Sequence, residues 1–293
     1  MKLKERRGAA VCVLLLLASG ILTSLAGCAG AQESALFHVS FLKAGKADAI
    51  VLWSGEEAIV IDTGEDDDGE KLCSYMESRG IRTIQALIIT HFDKDHVGGA
   101  DILLERFEVQ RIYQPDYEGT GKQYREYMAC LDGNRTSGHR LSVQAVTECT
   151  QLSLGNAVLT IYPSALTKEE ILQAGEQEYD NDLSLVVSAV HGENSFLFTG
   201  DAKAQRIREL MKQKEDWGHT LLKIPHHGTY NEETEHLLDA VHPEEAVICC
   251  SRKNPADQEL LKLLEERNIQ VWTTMDDTVE AVSDGKVLEI SVR

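Results

Sequence analysis

A short apolar run at residues 86–90 (ALIIT) ends abruptly in a loop with four potential metal ligands within six residues. The four side chains are His91, Asp93, Asp95 and His96. Two imidazoles and two carboxylates at this density suit one or two divalent cations, whereas an ordinary solvated loop carries scattered Lys and Glu. This loop therefore predicts a metal site at the end of a buried strand. We expect Gly98 and Gly99, which follow it, to let the backbone turn into the next helix.

Two later strands also end in residues that bind metals. The residues are Asp201 at the end of SFLFTGD (195–201), and His226 with His227 in LLKIPHHG (221–228). One strand-end aspartate or one histidine pair is weak evidence, because such residues also cap turns and pack structurally. Three strand ends with ligand types together predict a shared site.

A fourth strand ends in Ile61-Asp62-Thr63-Gly64. Asp62 has two interpretations at this stage. It either stabilises a turn, or it accepts a hydrogen bond from a ligand imidazole and orients that imidazole.

The rest of the chain alternates short apolar strands with amphipathic helices, and no Gly/Ser-rich linker divides it after residue 35. Each half begins with strands and continues as strand–helix alternation. We therefore predict one α+β domain, a sandwich of two mixed β-sheets flanked by helices (αββα).

The N-terminus predicts export. Residues 1–8 are basic and an apolar run follows, which is typical of a secretory signal, with an uncleaved membrane anchor as the alternative. Leu25-Ala26-Gly27-Cys28 resembles the lipobox of bacterial lipoproteins. That resemblance implies a signal peptide over 1–27, a lipidated tether over 28–35 that begins at Cys28, and a domain over 36–293. The domain would then be anchored by lipid to the outer face of the bacterial cytoplasmic membrane or cell envelope.

The charge balance limits the partners of the chain. Lys and Arg number 29 against 48 for Asp and Glu, which gives a formal net charge of −19. Phosphate affinity comes largely from Lys and Arg, so the chain has no overall electrostatic reason to bind nucleic acid. A bound metal would supply the local positive centre that an anionic substrate needs.

The motifs together resemble the metallo-β-lactamase superfamily, and most of all the extracellular hydrolase domain of ComEC-type competence proteins. The matching segments are the HxDxDHxGG loop at 91–99, Asn181–Ser184, Thr199–Asp201, His226–Gly228 and an early FLDVGQGDA-like segment at 41–49. The resemblance covers residues 36–293 and implies the αββα fold with a metal site at its sheet edges.

The resemblance implies the following residue roles. The metal ligands would be His91, Asp93, Asp95, His96, Asp201 and His226. Asp201 would bridge two metals, Asp95, His96 and His226 would hold one of them, and His91 with Asp93 the other. The catalytic set would be Asp95, Asp201 and His227, and the supporting residues Asp62, Asn181, Asp182 and Ser184. The sequence leaves open which of His226 and His227 is the ligand and which binds or protonates a phosphate.

The resemblance also bears on metal identity. Many members have a histidine about twenty residues before the bridging aspartate, where this chain has Asp180-Asn181-Asp182. Oxygen ligands favour Mn²⁺ or Mg²⁺ more than an all-imidazole site would. We expect two divalent metal ions, Zn²⁺ or Mn²⁺.

Two functional hypotheses follow. The first is an exported metal-dependent hydrolase, a phosphodiesterase or nuclease that uses a metal-activated water on a phosphodiester such as DNA. The second is a non-catalytic lipoprotein of this fold that acts as a binding module in an envelope or DNA-uptake complex. Departures from the family pattern at residues 43–48, and a missing histidine near Asn254, motivate the second hypothesis. The sequence predicts no protein partner.

Overall fold

A computed structural model describes residues 36–293, apart from residues 137–140, 176–177 and 215, and gives only the backbone of residues 134–136. The predicted signal peptide (1–27), the tether (28–35) and the lipidation site Cys28 lie outside the described residues and stay predictions. Within the described residues, no helix is both long enough and apolar enough to cross a bilayer.

The described chain contains fifteen strands. In chain order they are β1 (Phe37–Phe41), β2 (Ala49–Ser54), β3 (Glu57–Thr63), β4 (Thr83–Ile88), β5 (Arg111–Pro115), β6 (Ser142–Val146), β7 (Thr150–Leu154), β8 (Ala157–Tyr162), β9 (Val186–His191), β10 (Asn194–Phe198), β11 (Leu221–Lys223), β12 (Glu245–Ile248), β13 (Gln270–Thr273), β14 (Val279–Ser283) and β15 (Leu288–Val292).

The helices of the described chain connect and cover these strands. They are α1 (Gly69–Ser78), α2 (Lys94–Val97), α3 (Ala100–Arg106), α4 (Lys122–Thr136), α5 (Lys168–Gln173), α6 (Tyr179–Asp182), α7 (Ala204–Leu210), α8 (Thr234–Val241) and α9 (Gln258–Glu266). Short 3₁₀ turns occupy Asp66–Asp68 and His226–Gly228.

The strands form two mixed sheets. One has eight strands in the order β15-β14-β1-β2-β3-β4-β5-β6, and the other has seven in the order β13-β12-β11-β10-β9-β8-β7. In the first sheet β3 to β6 are parallel, and in the second β10 to β13 are parallel, while the remaining neighbours are antiparallel. The predicted sandwich of two mixed sheets with flanking helices is confirmed.

Side-chain alternation along the strands builds three apolar layers. On β1, Phe37, Val39 and Phe41 share one face and pack between the sheets against residues such as Phe196. Strand β3 is buried on both faces, because α1 and α3 cover its other side and the helices α7 to α9 cover the second sheet. Both sheets are therefore rigid at the edge where their parallel strands end.

That edge collects the predicted ligands. Strands β3 and β4 of the first sheet run parallel and end at Thr63 and Ile88, next to Asp62 and the loop of His91. Strands β10 and β11 of the second sheet run parallel and end just before Asp201 and the histidine pair. The topology thus brings ligand-bearing loops from both sheets to one place.

Candidate metal centre

The ligand loop after β4 is held tightly against the end of β3. A Cβ on Gly99 would lie 2.6 Å from the backbone oxygen of Thr63, and one on Gly98 would lie 2.4 Å from that of Lys94. Both glycines lie in the turn between α2 and α3, as expected, with φ angles of −59° at Gly98 and −86° at Gly99 that any residue adopts. Glycine is needed in this turn because the backbones approach closely, and this close approach places the loop beside Asp62.

Asp62 orients His96. The Nδ1 atom of His96 donates to Oδ2 of Asp62 at 2.7 Å. Asp62 also accepts hydrogen bonds from the backbone N–H of Thr90 at 2.7 Å and from its hydroxyl at 2.6 Å. Because Nδ1 is occupied, Nε2 of His96 is directed into the site, 3.3 Å from Oδ2 of Asp201. Of the two interpretations of Asp62, the geometry agrees with the orienting acceptor.

His227 enters from the second sheet. Its Nδ1 donates to the backbone oxygen of Cys249 at 3.2 Å, which leaves Nε2 facing the centre. Nε2 lies 3.0 Å from Oδ2 of Asp201 and 3.5 Å from Oδ2 of Asp95. Residues of both sheets therefore converge on Asp201.

Of the two histidines between which the sequence leaves the choice open, the structure brings His227 to the other candidate ligands. Groups of side chains whose ligand atoms lie within 4.8 Å of one another are His91, His96 and Asp201; Asp95, His96 and His227; and Asp48, Asp62 and His96. His226 and Asp93 are absent from these groups of described residues. The reason is local: His226 and His227 both have positive φ, 47° and 55°, and this sharp bend turns the second ring towards Asp95. His227 is therefore the histidine of this pair that is placed to bind a metal ion.

The donor set fits a divalent cation. Five buried ligand atoms converge here: Nε2 of His91, His96 and His227, Oδ2 of Asp95 and Oδ1 of Asp201. Nε2 of His96 and Nε2 of His227 lie against Oδ2 of Asp201, and Oδ2 of Asp95 lies against Nζ of Lys46. Burial of such polar atoms is costly, by about 1–3 kcal/mol for each one that has no partner. Imidazole nitrogens and carboxylate oxygens that converge in this way are the ligands of Zn²⁺ and Mn²⁺. A bound ion would satisfy these atoms together.

The ionisation states follow from the contacts. Burial lowers the pKa of His91 well below its usual value, and the neighbouring His96 lowers it further. For His96 burial acts the same way, but Asp201 and Asp62 outweigh it and raise the pKa well above the usual value. Burial opposes ionisation of Asp201, yet His227 and His96 hold its pKa well below the ordinary range. The negative charge of Asp201 is thus stabilised by the imidazoles of His96 and His227.

Asp93 lies at the outer margin of the centre. Its Oδ2 is 3.7 Å from Nε2 of His91, and its side chain is 42% exposed. Burial, and then the nearby carboxylate of Asp180, raise its pKa to about 6. Asp93 is therefore placed to contact His91, but it is not fixed like the other ligands.

The segment Asn181–Ser184 supports the centre from outside. Oδ1 of Asp182 accepts the backbone N–H of Arg206 at 2.9 Å near the start of α7, and the backbone oxygen of Ser184 accepts from its guanidinium at 3.0 Å. Next in the chain, the N–H of Leu185 donates to the backbone oxygen of Thr90 at 2.9 Å. Asn181 and Ser184 are buried. These contacts anchor the segment beside the ligand loop.

Sequence reasoning missed three charged residues of the site. Asp48 is buried and pairs with Lys223, whose Nζ also donates to the backbone oxygen of Gly200 at 2.8 Å. Burial opposes the charge on Lys223, but Asp48 and Asp201 raise its pKa above the usual range. Nζ of Lys46 lies 2.7 Å from Oδ2 of Asp95. The signals were a lysine within an apolar strand (LLK) and the aspartate of the early segment at 41–49.

Two mixed sheets with a histidine–aspartate cluster at their shared edge define a class of protein. The sequence profile of the metallo-beta-lactamase superfamily matches residues 42–129. The metallo-β-lactamase fold protein YhfI of Bacillus subtilis superposes with a TM-score of 0.52 at 11% identity, over 88% of this chain and 100% of that one. Residues 42–129 of the chain are therefore similar to the metallo-β-lactamase superfamily, and the two-sheet architecture matches that fold, as the motifs predicted.

Two proteins are similar in sequence to this chain over more than two thirds of its length. The chain is 27% identical over 210 residues to ComE operon protein 3 of Bacillus subtilis, covering 70% of this chain and 25% of that protein. It is 28% identical over 229 residues to Recombination protein 2 of Haemophilus influenzae, covering 75% of this chain and 25% of that protein. Both relatives are ComEC-type proteins, and the chain spans about a quarter of their length.

Proposed function

We propose that this protein is a metal-dependent phosphodiesterase. The observation that carries the proposal is the convergence of five buried ligand atoms from two sheets beside Asp201. The ligands of the metal would be His91, Asp95, His96, Asp201 and His227. A divalent pair held there would supply an activated water and a positive centre for the phosphate oxygens.

The residues around the ligands prepare this chemistry. Asp62 and the backbone oxygen of Cys249 fix the rings of His96 and His227, so that Nε2 of each faces the centre before substrate arrives. Lys223 is buried behind Asp201, where it neutralises Asp48 and holds the backbone of Gly200. These contacts preorganise the centre and reduce the rearrangement needed for binding.

A phosphodiester is supported as the substrate class by the ComEC-type relatives and by the oxygen-rich outer margin at Asp93 and Asp180. DNA is one such substrate, and similarity to a protein named Recombination protein 2 supports it as a candidate. The choice between Zn²⁺ and Mn²⁺ belongs to the same proposal, with oxygen donors favouring Mn²⁺.

Metal dependence tests the proposal directly. Full-length protein would be purified, its metal content measured, and its hydrolysis of bis-p-nitrophenyl phosphate and of DNA followed before and after EDTA treatment. We expect EDTA to abolish hydrolysis and Mn²⁺ or Zn²⁺ to restore it. Unchanged cleavage after EDTA, or a protein that binds no metal, contradicts the hydrolase.

The second candidate is a non-catalytic binding module in an envelope or DNA-uptake complex. The observation that favours it is Lys46, whose ammonium already lies against the candidate ligand Asp95. Metal binding without any hydrolysis in the same assay supports this second candidate.

We also propose that the protein is exported and anchored by lipid at Cys28. The support is the sequence Leu25-Ala26-Gly27-Cys28 after a basic and apolar N-terminus. Cys28→Ser should release the protein from the membrane fraction or leave it unprocessed. Membrane retention with unchanged size after this substitution contradicts lipidation.

A further inference from the structure

A cavity of about 380 Å³ opens at the same sheet edge as the metal centre. Its walls include Pro115 at the end of β5, Val146 at the end of β6, Pro163 just after β8, and Leu185 just before β9. All four positions lie at one edge, because β5 and β6 are parallel and β8 is antiparallel to β9. The cavity therefore lies between the two sheets at their ligand-bearing end.

The topology makes this cavity a direct neighbour of the metal centre. The ligand loop leaves β4, which is next to β5, and Asp201 follows β10, which is next to β9. Adjacent strands are about 4.8 Å apart, so the cavity begins roughly one strand from the ligands. Tyr117 forms part of the wall, and its hydroxyl oxygen accepts the backbone N–H of Phe92 in the ligand loop at 3.0 Å.

The lining favours an uncharged organic group. The deep walls are apolar and buried at Pro115, Val146, Leu183 and Leu185. The exposed Thr147 supplies a hydroxyl group closer to solvent, whereas the hydroxyls of Ser164 and Thr167 already bond within the chain. The volume falls in the usual range for small-molecule sites, about 300–1,000 Å³.

Charges at the mouth oppose an anionic occupant. Asp116 and Glu169 are exposed there and Lys168 lies between them in the lining, 4.0 Å above the ring of Tyr179. Two carboxylates against one ammonium give the mouth a net negative charge. A phosphate is therefore better accommodated at the metal centre than in the cavity.

Lysines near the site are already paired with carboxylates. The pairs are Lys46 with Asp95, Lys94 with Glu65, Lys122 with Asp66, and Lys203 with Glu178. A polynucleotide binds through several Lys and Arg side chains that neutralise its successive phosphates. Paired lysines on a chain of net charge −19 give little such attraction. A substrate with a single phosphate does not need a series of free lysines.

We infer that the cavity binds the uncharged organic group, of about nucleoside size, of a small phosphodiester whose phosphate lies at the metal centre. The inference rests on the proposed phosphodiesterase function and narrows its substrate class. The organic group would be the part of the substrate that the cavity walls recognise, and the metal centre would recognise the phosphate.

Two esters with the same leaving group test this inference. Full-length protein loaded with Mn²⁺ would be assayed on thymidine 5′-(p-nitrophenyl phosphate) and on methyl p-nitrophenyl phosphate, which has no group to fill the cavity. We expect kcat/KM to be roughly tenfold or more higher for the thymidine ester, because binding of a remote group contributes to this constant. With matched leaving groups, the dinucleotide thymidylyl-(3′→5′)-thymidine should be cleaved with a higher kcat/KM per bond than a 20-nucleotide single strand of thymidine.

A substitution at the mouth of the cavity tests whether the cavity causes the preference for the thymidine ester. Thr147→Trp should fill the mouth of the cavity and reduce the ratio of the two kcat/KM values, thymidine ester over methyl ester, to about one. The kcat/KM for the methyl ester itself should not change. Thr147→Ser is the matched control and should behave as the parent. Thr147 is exposed and makes no contact with the ligands, so thermal unfolding should be unaffected. Equal kcat/KM for both esters in the parent, or equal losses on both in Thr147→Trp, overturns the inference.

Calorimetric titration of thymidine 5′-monophosphate separates the two proposals. If neither ester is cleaved but thymidine 5′-monophosphate binds and Thr147→Trp weakens binding at least tenfold, the cavity assignment stands and the phosphodiesterase fails. If both esters are cleaved equally and Thr147→Trp leaves binding unchanged, the phosphodiesterase stands and the cavity assignment fails. Preferred cleavage of the oligonucleotide also contradicts a small substrate.

Discussion

Two parts of the candidate metal centre differ in how firmly they are held. Asp95, His96 and His227, the inner group, are buried, and both imidazoles have a fixed acceptor on Nδ1. His91 and Asp93 form the outer pair, in which Nε2 of His91 lies 3.7 Å from Oδ2 of Asp93 and the Asp93 side chain is 42% exposed. The comparison teaches that the fold preorganises the inner group for a cation, whereas a cation at the outer pair would depend on a half-exposed carboxylate.

Asp201 contacts both parts, and its loss should have the largest effect. Asp201→Asn removes a charge from the position that faces His96 and His227, so an ion there would be less well neutralised. We expect metal content to fall and hydrolysis to drop more than ~100-fold, because even residues behind the ligands are worth 10–100-fold. Asp276→Asn, an exposed carboxylate paired with Arg252, is the control. Full activity with full metal content would exclude a shared ligand at this position.

Asp62 tests whether preorganisation of the inner group matters. Asp62→Asn keeps the shape and tolerates the φ of 57°, but it weakens the acceptor of His96. We expect metal affinity or activity to fall about 10–100-fold with the fold retained. Glu280→Gln, a buried carboxylate bonded to Tyr75, should alter stability only. Unchanged metal affinity in Asp62→Asn would mean that the ring of His96 is fixed by packing.

Asp93 probes the outer pair. Asp93→His replaces an oxygen ligand by nitrogen, and should shift metal preference towards Zn²⁺ by roughly tenfold while weakening Mn²⁺-dependent phosphodiester cleavage. Competitive metal titration measures the shift, and Asp66→His on the neighbouring 3₁₀ turn is the control. A variant with the metal preference of the parent would show that Asp93 does not touch the ion.

Lys46 should give the smallest effect. Its ammonium competes with a cation for Asp95, but the side chain is 39% exposed, and such pairs are worth about 0–1 kcal/mol. Lys46→Gln should therefore raise metal affinity by less than about fivefold. Lys94→Gln removes a neighbouring pair with Glu65 and should change nothing. Weaker metal binding in Lys46→Gln would instead show that the ammonium assists the centre.

Much of the fold could be predicted from local pattern. The apolar runs at 86–90, 195–201 and 221–228 carry strand composition, and they contain most of β10, all of β11 and the end of β4. Local pattern does not indicate β7, since Thr150–Leu154 is largely polar and pairs only as an edge strand next to β8. Nor does it assign β6 and β7 to different sheets, although β6 pairs with β5 in the first sheet and β7 with β8 in the second. Pairing of this kind is set by tertiary contacts that sequence periodicity does not contain.

Site residues that are close together in sequence could be predicted well. Which of two adjacent residues points into the site could not, because that depends on the local backbone conformation. The 91–96 loop could be recognised because four ligand types are concentrated there. The choice between His226 and His227 depends on two consecutive positive φ values. The lysine within the apolar run LLK was a signal, but the partner of Lys223 could not be predicted because its ion pair with Asp48 joins residues far apart in sequence.

The inner group draws Asp95 and His96 from one sheet and His227 from the other, so an ion bound there would fasten the layers at one edge. Ligand bound only by the native state adds about 4 kcal/mol of stability at a thousand times its dissociation constant. Separation of the two sheets would then require release of the ion. Amide hydrogen exchange should slow most at the ends of β4, β10 and β11, and least at the opposite rim, where β9 and β10 turn at Gly192.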